Sequence, residues 1–176
     1  MATHEGRPQV GIVMGSDSDW ETMEGVADRL TAFEIAYEVE VMSAHRSPKR
    51  VMQYAAGARR RGLAVLVAGA GGAAHLAGVV AAHTTLPVIG VPVATAGLGG
   101  LDALLATVQM PAGVPVATVA IGRAGAENAG ILAAQILSLK SRALRTRLER
   151  FKVELAESVE GKNLRLQRKI SPANTD

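Results

Sequence analysis

Apolar positions along this chain fall into short, nearly unbroken runs separated by stretches of helical period. Residues 10–14 form an apolar run of strand length, and residues 19–33 then repeat at helical spacing. Residues 37–42 (Tyr-Glu-Val-Glu-Val-Met) alternate apolar and acidic side chains, the period of a strand with one covered face. A helix is expected over 48–61, a fully buried strand over 63–70 and a helix over 73–82. Further strands are expected at 88–91 and 116–121, with helices at 101–109 and 127–137. Pro87 and Pro115 stand before or at the start of their strands, where a missing N–H is tolerated.

Strand and helix thus alternate five times, and most of the strands are continuous in Val, Ile, Leu and Ala. Such runs belong to a parallel α/β sheet covered by helices on both faces. No linker, repeat or low-complexity tract interrupts the pattern, so residues 1–176 are expected to form one domain with its core over about 10–139. A helical extension follows over about 140–168, where Leu144, Leu148, Phe151 and Leu155 recur at helical spacing among Arg and Glu.

Composition narrows this picture. Hydrophobic residues make up 48% of the 176, enough for a substantial core, but aromatics are only 3%, so small aliphatic side chains must fill it. The 19 glycines suit tight turns and close backbone–ligand contacts. With no cysteine, disulfides, thiolate catalysis and cysteine metal sites are excluded, a usage compatible with a cytoplasmic protein. The polar residues 1–9 do not resemble a secretory signal. Residues 63–82 approach the length of a membrane helix, but Gly69, Gly71, Gly72, His75 and Gly78 interrupt them, and strand, glycine turn and helix is the better reading.

The net charge of +3 is uneven: residues 1–139 carry 9 basic and 11 acidic side chains, residues 140–176 carry 10 and 5. A basic tail can signal nucleic acid. The amphipathic period of this one points instead to packing on its own domain or on a neighbouring subunit, and no nucleic-acid or membrane partner is expected.

The five strand-to-helix junctions should share one sheet edge, the edge at which open α/β sheets bind ligands. The first is Gly15-Ser16-Asp17-Ser18-Asp19, the second Ser43-Ala44-His45-Arg46-Ser47, and the third spans residues 69–75 with Gly71, Gly72 and His75. The fourth spans 92–100 and the fifth 122–125. In the second, Ser47 is expected to supply an N-cap oxygen and Pro48 to take the first helical position. His45 brings a proton-transfer group beside the fixed cation of Arg46, which can grip phosphate through two N–H groups.

Ser16 and Ser18 offer hydroxyls for a phosphate, and Asp19 could accept from ribose hydroxyls. Equally, Asp17, Ser18 and Asp19 could serve only to cap a helix, and the loop alone does not decide. His75 either lines the pocket or plays a structural part; His83 reads as a helix-end or surface residue and His4 as part of a disordered tail. No residues show metal-ligand spacing and no serine sits in a nucleophile elbow, so neither a metal site nor covalent hydrolysis is expected. Spacing alone reaches an anionic, phosphorylated ligand with His45 as acid or base.

Taken together, Val13-Met14-Gly15-Ser16-Asp17-Ser18-Asp19-Trp20, Ser43-Ala44-His45-Arg46, the run Ala68 to Leu76 (Ala-Gly-Ala-Gly-Gly-Ala-Ala-His-Leu), Val108-Gln109-Met110-Pro111 and Ala120-Ile121-Gly122 resemble the N5-carboxyaminoimidazole ribonucleotide mutase family, often called PurE. The resemblance covers about residues 10–139 in order and spacing. It implies a flavodoxin-like three-layer sandwich assembled as a homo-octamer. It also implies an isomerase of de novo purine (IMP) biosynthesis that moves a carboxylate from an exocyclic nitrogen to a ring carbon without metal or organic cofactor.

Carried onto this chain, the resemblance gives Ser16, Ser18 and Arg46 the phosphate and Asp19 the ribose hydroxyls. Ser43 and the amides around Gly71 and Gly72 complete the pocket, with His75 beside it, and His45 shuttles the proton. It admits a transient contact with the ATP-dependent carboxyaminoimidazole ribonucleotide synthase. Ala77, where the family often has proline, and the glycine-rich stretch 95–100 depart from the pattern, which puts the stiffness of the fourth loop in question.

Two other readings remain at this point. One is the related aminoimidazole ribonucleotide carboxylase, which takes free carbon dioxide; Arg46 speaks against it, since lysine is more expected there. The other is a non-catalytic nucleotide- or flavin-binding module on the same fold, and with one Trp, two Tyr and two Phe there is little to stack on a flavin. A purely structural, self-associating protein would leave His45, Arg46, Ser16 and Asp19 without a purpose.

Overall fold

Residues 6–170 are described by a computed structural model; His4 lies outside them. The elements are β1 (Val10–Met14), α1 (Trp20–Ala32), β2 (Tyr37–Val41), α2 (Pro48–Arg61), β3 (Val65–Gly71), α3 (Leu76–Ala82), β4 (Val88–Val93), α4 (Leu101–Val108), β5 (Ala117–Thr118), α5 (Arg123–Ser138) and α6 (Arg142–Ile170). A single 3₁₀ turn, Asp17–Asp19, precedes α1.

The five strands form one parallel sheet in the order β2-β1-β3-β4-β5. Val10 faces Tyr37 on one side and Val65 on the other, so β1 and β3 are the neighbours between which the chain reverses its direction of travel across the sheet. This is the doubly wound, flavodoxin-like order, and a crevice forms outside the strand ends at that reversal.

The period-2 alternation of the strands divides the core in two. Val10, Ile12 and Met14 of β1, with Val65 and Val67 of β3 and Ile89 and Val91 of β4, pack under α1, α5 and the start of α6. Val13, Leu66, Ala68 and Val88 face the other way, under α2 and α3, and α4 lies on that side through Thr107, whose methyl stands over Gly90. Helix–sheet distances are short because small residues permit them. A Cβ at Gly69 would collide with the sulfur of the fully buried Met23 on α1.

As expected, the apolar run 63–82 divides into β3, a turn and α3, and among the described residues no helix is long and apolar enough to cross a membrane. Three boundaries differ from the sequence expectation. Helix α3 begins at Leu76 rather than 73, because Ala74 N–H and His75 N–H bond to the carbonyls two residues back, Gly72 and Ala73, instead of entering a helical ladder. Strand β5 shrinks from six residues to two. It is the outermost strand, and beyond Thr118 only single bonds, Val119 N–H to Gly90 and Gly122 N–H to Pro92, hold the chain to β4. Helix α5 starts four residues early, at Arg123. Its first turn lies so close to the preceding segment that a Cβ on Gly125 would occupy the Ala120 carbonyl.

Helix α6 is anchored only over its first third. Leu144 is buried, Phe151 meets the Phe33 ring edge-on at 5.4 Å, and Arg147 donates to the Phe33 carbonyl and pairs with Glu34. Beyond Phe151 almost every residue is exposed, including Val153, Leu155, Val159, Leu164, Leu166 and Ile170.

Candidate active site

The site is built on the turn that leaves β2. Met42 N–H still bonds to the Met14 carbonyl, which carries the ladder past the last paired residue and sets Ser43 at the sheet rim. From there residues 43–47 close on themselves. Ser47 N–H donates to the Ser43 carbonyl at 2.9 Å, the Ser47 hydroxyl donates to the same carbonyl at 3.1 Å, and Ser43 N–H donates back to Ser47 Oγ at 3.0 Å. Ser43 Oγ accepts from Arg46 N–H at 3.2 Å. Pro48 takes the first helical position as expected, but Ser47 makes no side-chain cap to α2. Its hydroxyl is spent on clamping the loop that presents His45 and Arg46.

His45 Nε2 lies 2.8 Å from His75 Nδ1, with the rings at 81°. His75 reaches this point because the two-residue-back bonds at Ala74 and His75 hold the chain in tight turns just before α3. Gly72 enters that turn at φ +60°, a left-handed conformation at which glycine carries no Cβ strain. Gly71 is needed for space: a Cβ there would stand 2.7 Å from Thr95 Cγ2 and 3.2 Å from the Val93 carbonyl oxygen.

The third wall is the turn after β1. Asp19 accepts from Ser16 N–H at 3.0 Å, and Ser16 Oγ accepts from Ser18 N–H at 3.4 Å and from the Ser18 hydroxyl at 2.9 Å. This reciprocal arrangement caps the short turn into α1, so the capping reading of these residues is realised, while Ser16 and Asp19 also face the crevice. Partial burial pushes the Asp19 carboxyl above the ordinary carboxylate range. The Ser16 and Gly15 amides pull it back and the Asp17 charge adds to the rise. Arg46 crosses to this wall, donating to the Gly15 carbonyl at 3.2 Å. That bond uses one of five guanidinium N–H groups.

These three turns enclose a cleft of about 310 Å³ at the β1/β3 reversal. Of the expected site residues, Ser16, Asp19, Ser43, His45, Arg46 and Gly71 line it. Ser18, Gly72 and His75 do not: Ser18 sits behind Ser16, Gly72 shapes the turn, and His75 reaches the cleft through His45. Ala44 and Leu76 line it without having been singled out, and so does Thr95 from the fourth junction. The fifth junction contributes nothing. Arg123 is held away by Asp28 at 2.8 Å, Glu24 at 3.5 Å and the Glu21 carbonyl at 3.4 Å, where it ties α5 to α1.

The fold and the cleft define a class: a flavodoxin-like α/β protein whose strand-end crevice joins an imidazole pair, a guanidinium, hydroxyls and a carboxylate. Comparison with known proteins makes the class specific. A family model described as AIR carboxylase matches residues 9–158. A protein of Mycobacterium tuberculosis named N5-carboxyaminoimidazole ribonucleotide mutase is 57% identical over 162 residues, 92% of this chain and 92% of its own length. The Bacillus subtilis protein of the same name is 56% identical over 143 residues, 81% of this chain and 88% of its own. A crystal structure of Treponema denticola PurE superposes with a TM-score of 0.80 at 28% identity, covering 91% of this chain and 99% of that one. The chain belongs to the AIR carboxylase, or PurE, family.

Proposed function

We propose that this enzyme is an isomerase of de novo purine biosynthesis that converts N5-carboxyaminoimidazole ribonucleotide to 4-carboxy-5-aminoimidazole ribonucleotide. The meeting of His45 and Arg46 with Ser16 and Asp19 in one cleft, in a chain of this family, carries the reading. Arg46 and the Ser16 hydroxyl bind the phosphate, where charge-assisted and bidentate contacts are strongest, and Ser18 supports Ser16 from behind. Asp19 accepts from the ribose hydroxyls. Ser43, the amides around Gly71 and Gly72, and the His45–His75 pair surround the base.

The chemistry moves protons without net consumption. The carbamate C–N bond breaks, its electron pair returns to nitrogen as His45 supplies a proton, and carbon dioxide is released into the cleft. The ring carbon attacks that carbon dioxide, a C–C bond forms, and the proton on the same carbon returns to His45. An imidazole serves both directions because it titrates near neutrality. Ala44, Ala70, Ala73 and Leu76 give the cleft a small apolar lining suited to retaining the gas.

The assembly is a homo-octamer, the location cytoplasmic, and the synthase that makes the carbamate is a transient partner. Turnover of the carbamate without added bicarbonate is the expected outcome. Product formed only from the unmodified amine plus bicarbonate would instead identify a carboxylase.

A further inference from the structure

Thr95 is the one residue of the β4–α4 loop that lines the cleft. The other polar side chains there are all engaged within the protein: Ser16 with Ser18, Asp19 with Ser16, Ser43 with Arg46, His45 with His75, and Arg46 with Gly15. Among the described residues the Thr95 hydroxyl has no hydrogen-bond partner. Its methyl is not free. Cγ2 lies over Gly71, so closely that a Cβ there would be 2.7 Å away, so the exposed Thr95 side chain rests its methyl against the β3–α3 turn. The χ1 angle of a β-branched side chain is stiff, so that contact narrows the directions its hydroxyl takes.

The phosphate and ribose groups fall to the β1 turn and Arg46, at the opposite wall. We infer that Thr95 is a substrate-contacting residue, its hydroxyl donating to the migrating carboxylate as that group moves beside His45 and Gly71. This rests on the mutase reading.

Two nearly isosteric variants separate the hydroxyl from the methyl. Thr95→Val keeps the contact with Gly71 and loses the donor; Thr95→Ser keeps the donor and loses the methyl. With the carbamate as substrate, Thr95→Val should lose about tenfold in kcat, and Thr95→Ser, which keeps the donor but not the contact that aims it, should lose less. Inhibition by ribose 5-phosphate, a probe of the other wall, should be unchanged in both, as should the mass of the assembly. Parent-like turnover by Thr95→Val overturns the inference, as does equal damage in Thr95→Ser or a change of assembly mass in Thr95→Val. If the parent itself leaves the carbamate untouched, the mutase reading fails and this inference with it.

Discussion

His45 Nε2 and His75 Nδ1 are 2.8 Å apart, so the two imidazoles share one hydrogen bond and their tautomers are coupled. If His45 donates through Nε2, His75 must receive on Nδ1, and any change at one ring resets the other. The protonation of the ring nitrogen that His45 does not share is thereby tied to the tautomer of His75.

Replacing His45 by Asn should lower kcat by about 10²–10⁴-fold, the range for loss of a general acid–base group, with folding unchanged by circular dichroism. His75→Ala should cost less and act on kcat with KM nearly constant, because its partner is the other ring. Steady-state kinetics on both variants checks this. Equal KM increases in the two would assign the pair to binding instead.

Arg46 is exposed and tethered to the Gly15 carbonyl by one nitrogen only. Arg46→Lys keeps the charge but cannot span two phosphate oxygens. KM should rise about tenfold or more, corresponding to part of a charge-assisted bond of about 1.5–3 kcal/mol, while kcat changes little. Added salt should weaken substrate binding to the parent.

Asp19 links stability to pH in an unusual sense. Its carboxyl is raised in the folded chain, chiefly by desolvation, so between its unfolded value and that raised value the folded state holds more proton than the unfolded one. Stability from this group is present below that window and lost as pH rises through it. Asp19→Asn escapes the loss and keeps an acceptor for Ser16 N–H. The melting temperature of the variant, relative to the parent, should climb across the carboxylate range and level off above it, while affinity for the ribonucleotide falls. A flat difference across that range contradicts the account.

Ser47→Ala tests the clamp on the His45 turn. Both bonds from its hydroxyl go to Ser43 rather than to α2, so the helix loses no cap. The expected cost is about 1 kcal/mol of stability together with a drop in kcat. A conventional N-cap would have lowered stability and left turnover alone.

The Ser43–Ser47 clamp is not visible in the local pattern of the chain. Strand–helix alternation and strand-end placement were legible because both follow from local periodicity and chain direction: residues 10–14 and 48–61 appear as expected, and His45, Arg46, Ser16 and Asp19 meet. Which partner a side chain takes, and which remote segments meet, were not. Nothing local shows that Ser47 turns back to Ser43, that Thr95 packs on Gly71, or that Arg123 is committed to Asp28 and Glu24. Apolar content also overstated β5, because residues 116–121 read as a strand whether or not a neighbour offers pairing along the whole run, and at the sheet edge β4 pairs with only two of them.

The distal part of α6 bears on assembly. About 19 residues beyond Phe151 extend nearly 30 Å at 1.5 Å per residue, and in proteins most helical stability comes from packing an apolar face rather than from propensity. Leu155, Val159, Leu166 and Ile170 are exposed and follow at spacings of four, seven and four, which keeps them on one face. The octamer reading proposed above predicts that this apolar stripe is buried against another copy. Truncation after Lys152 retains Leu144, Leu148 and Phe151, so the protomer core, including the Phe33 contact, should survive with two-state unfolding. The assembly should fall to a smaller mass by light scattering. A truncated chain that keeps the full mass would mean the stripe takes no part in the contacts between subunits, and that the octamer is held by the globular body alone.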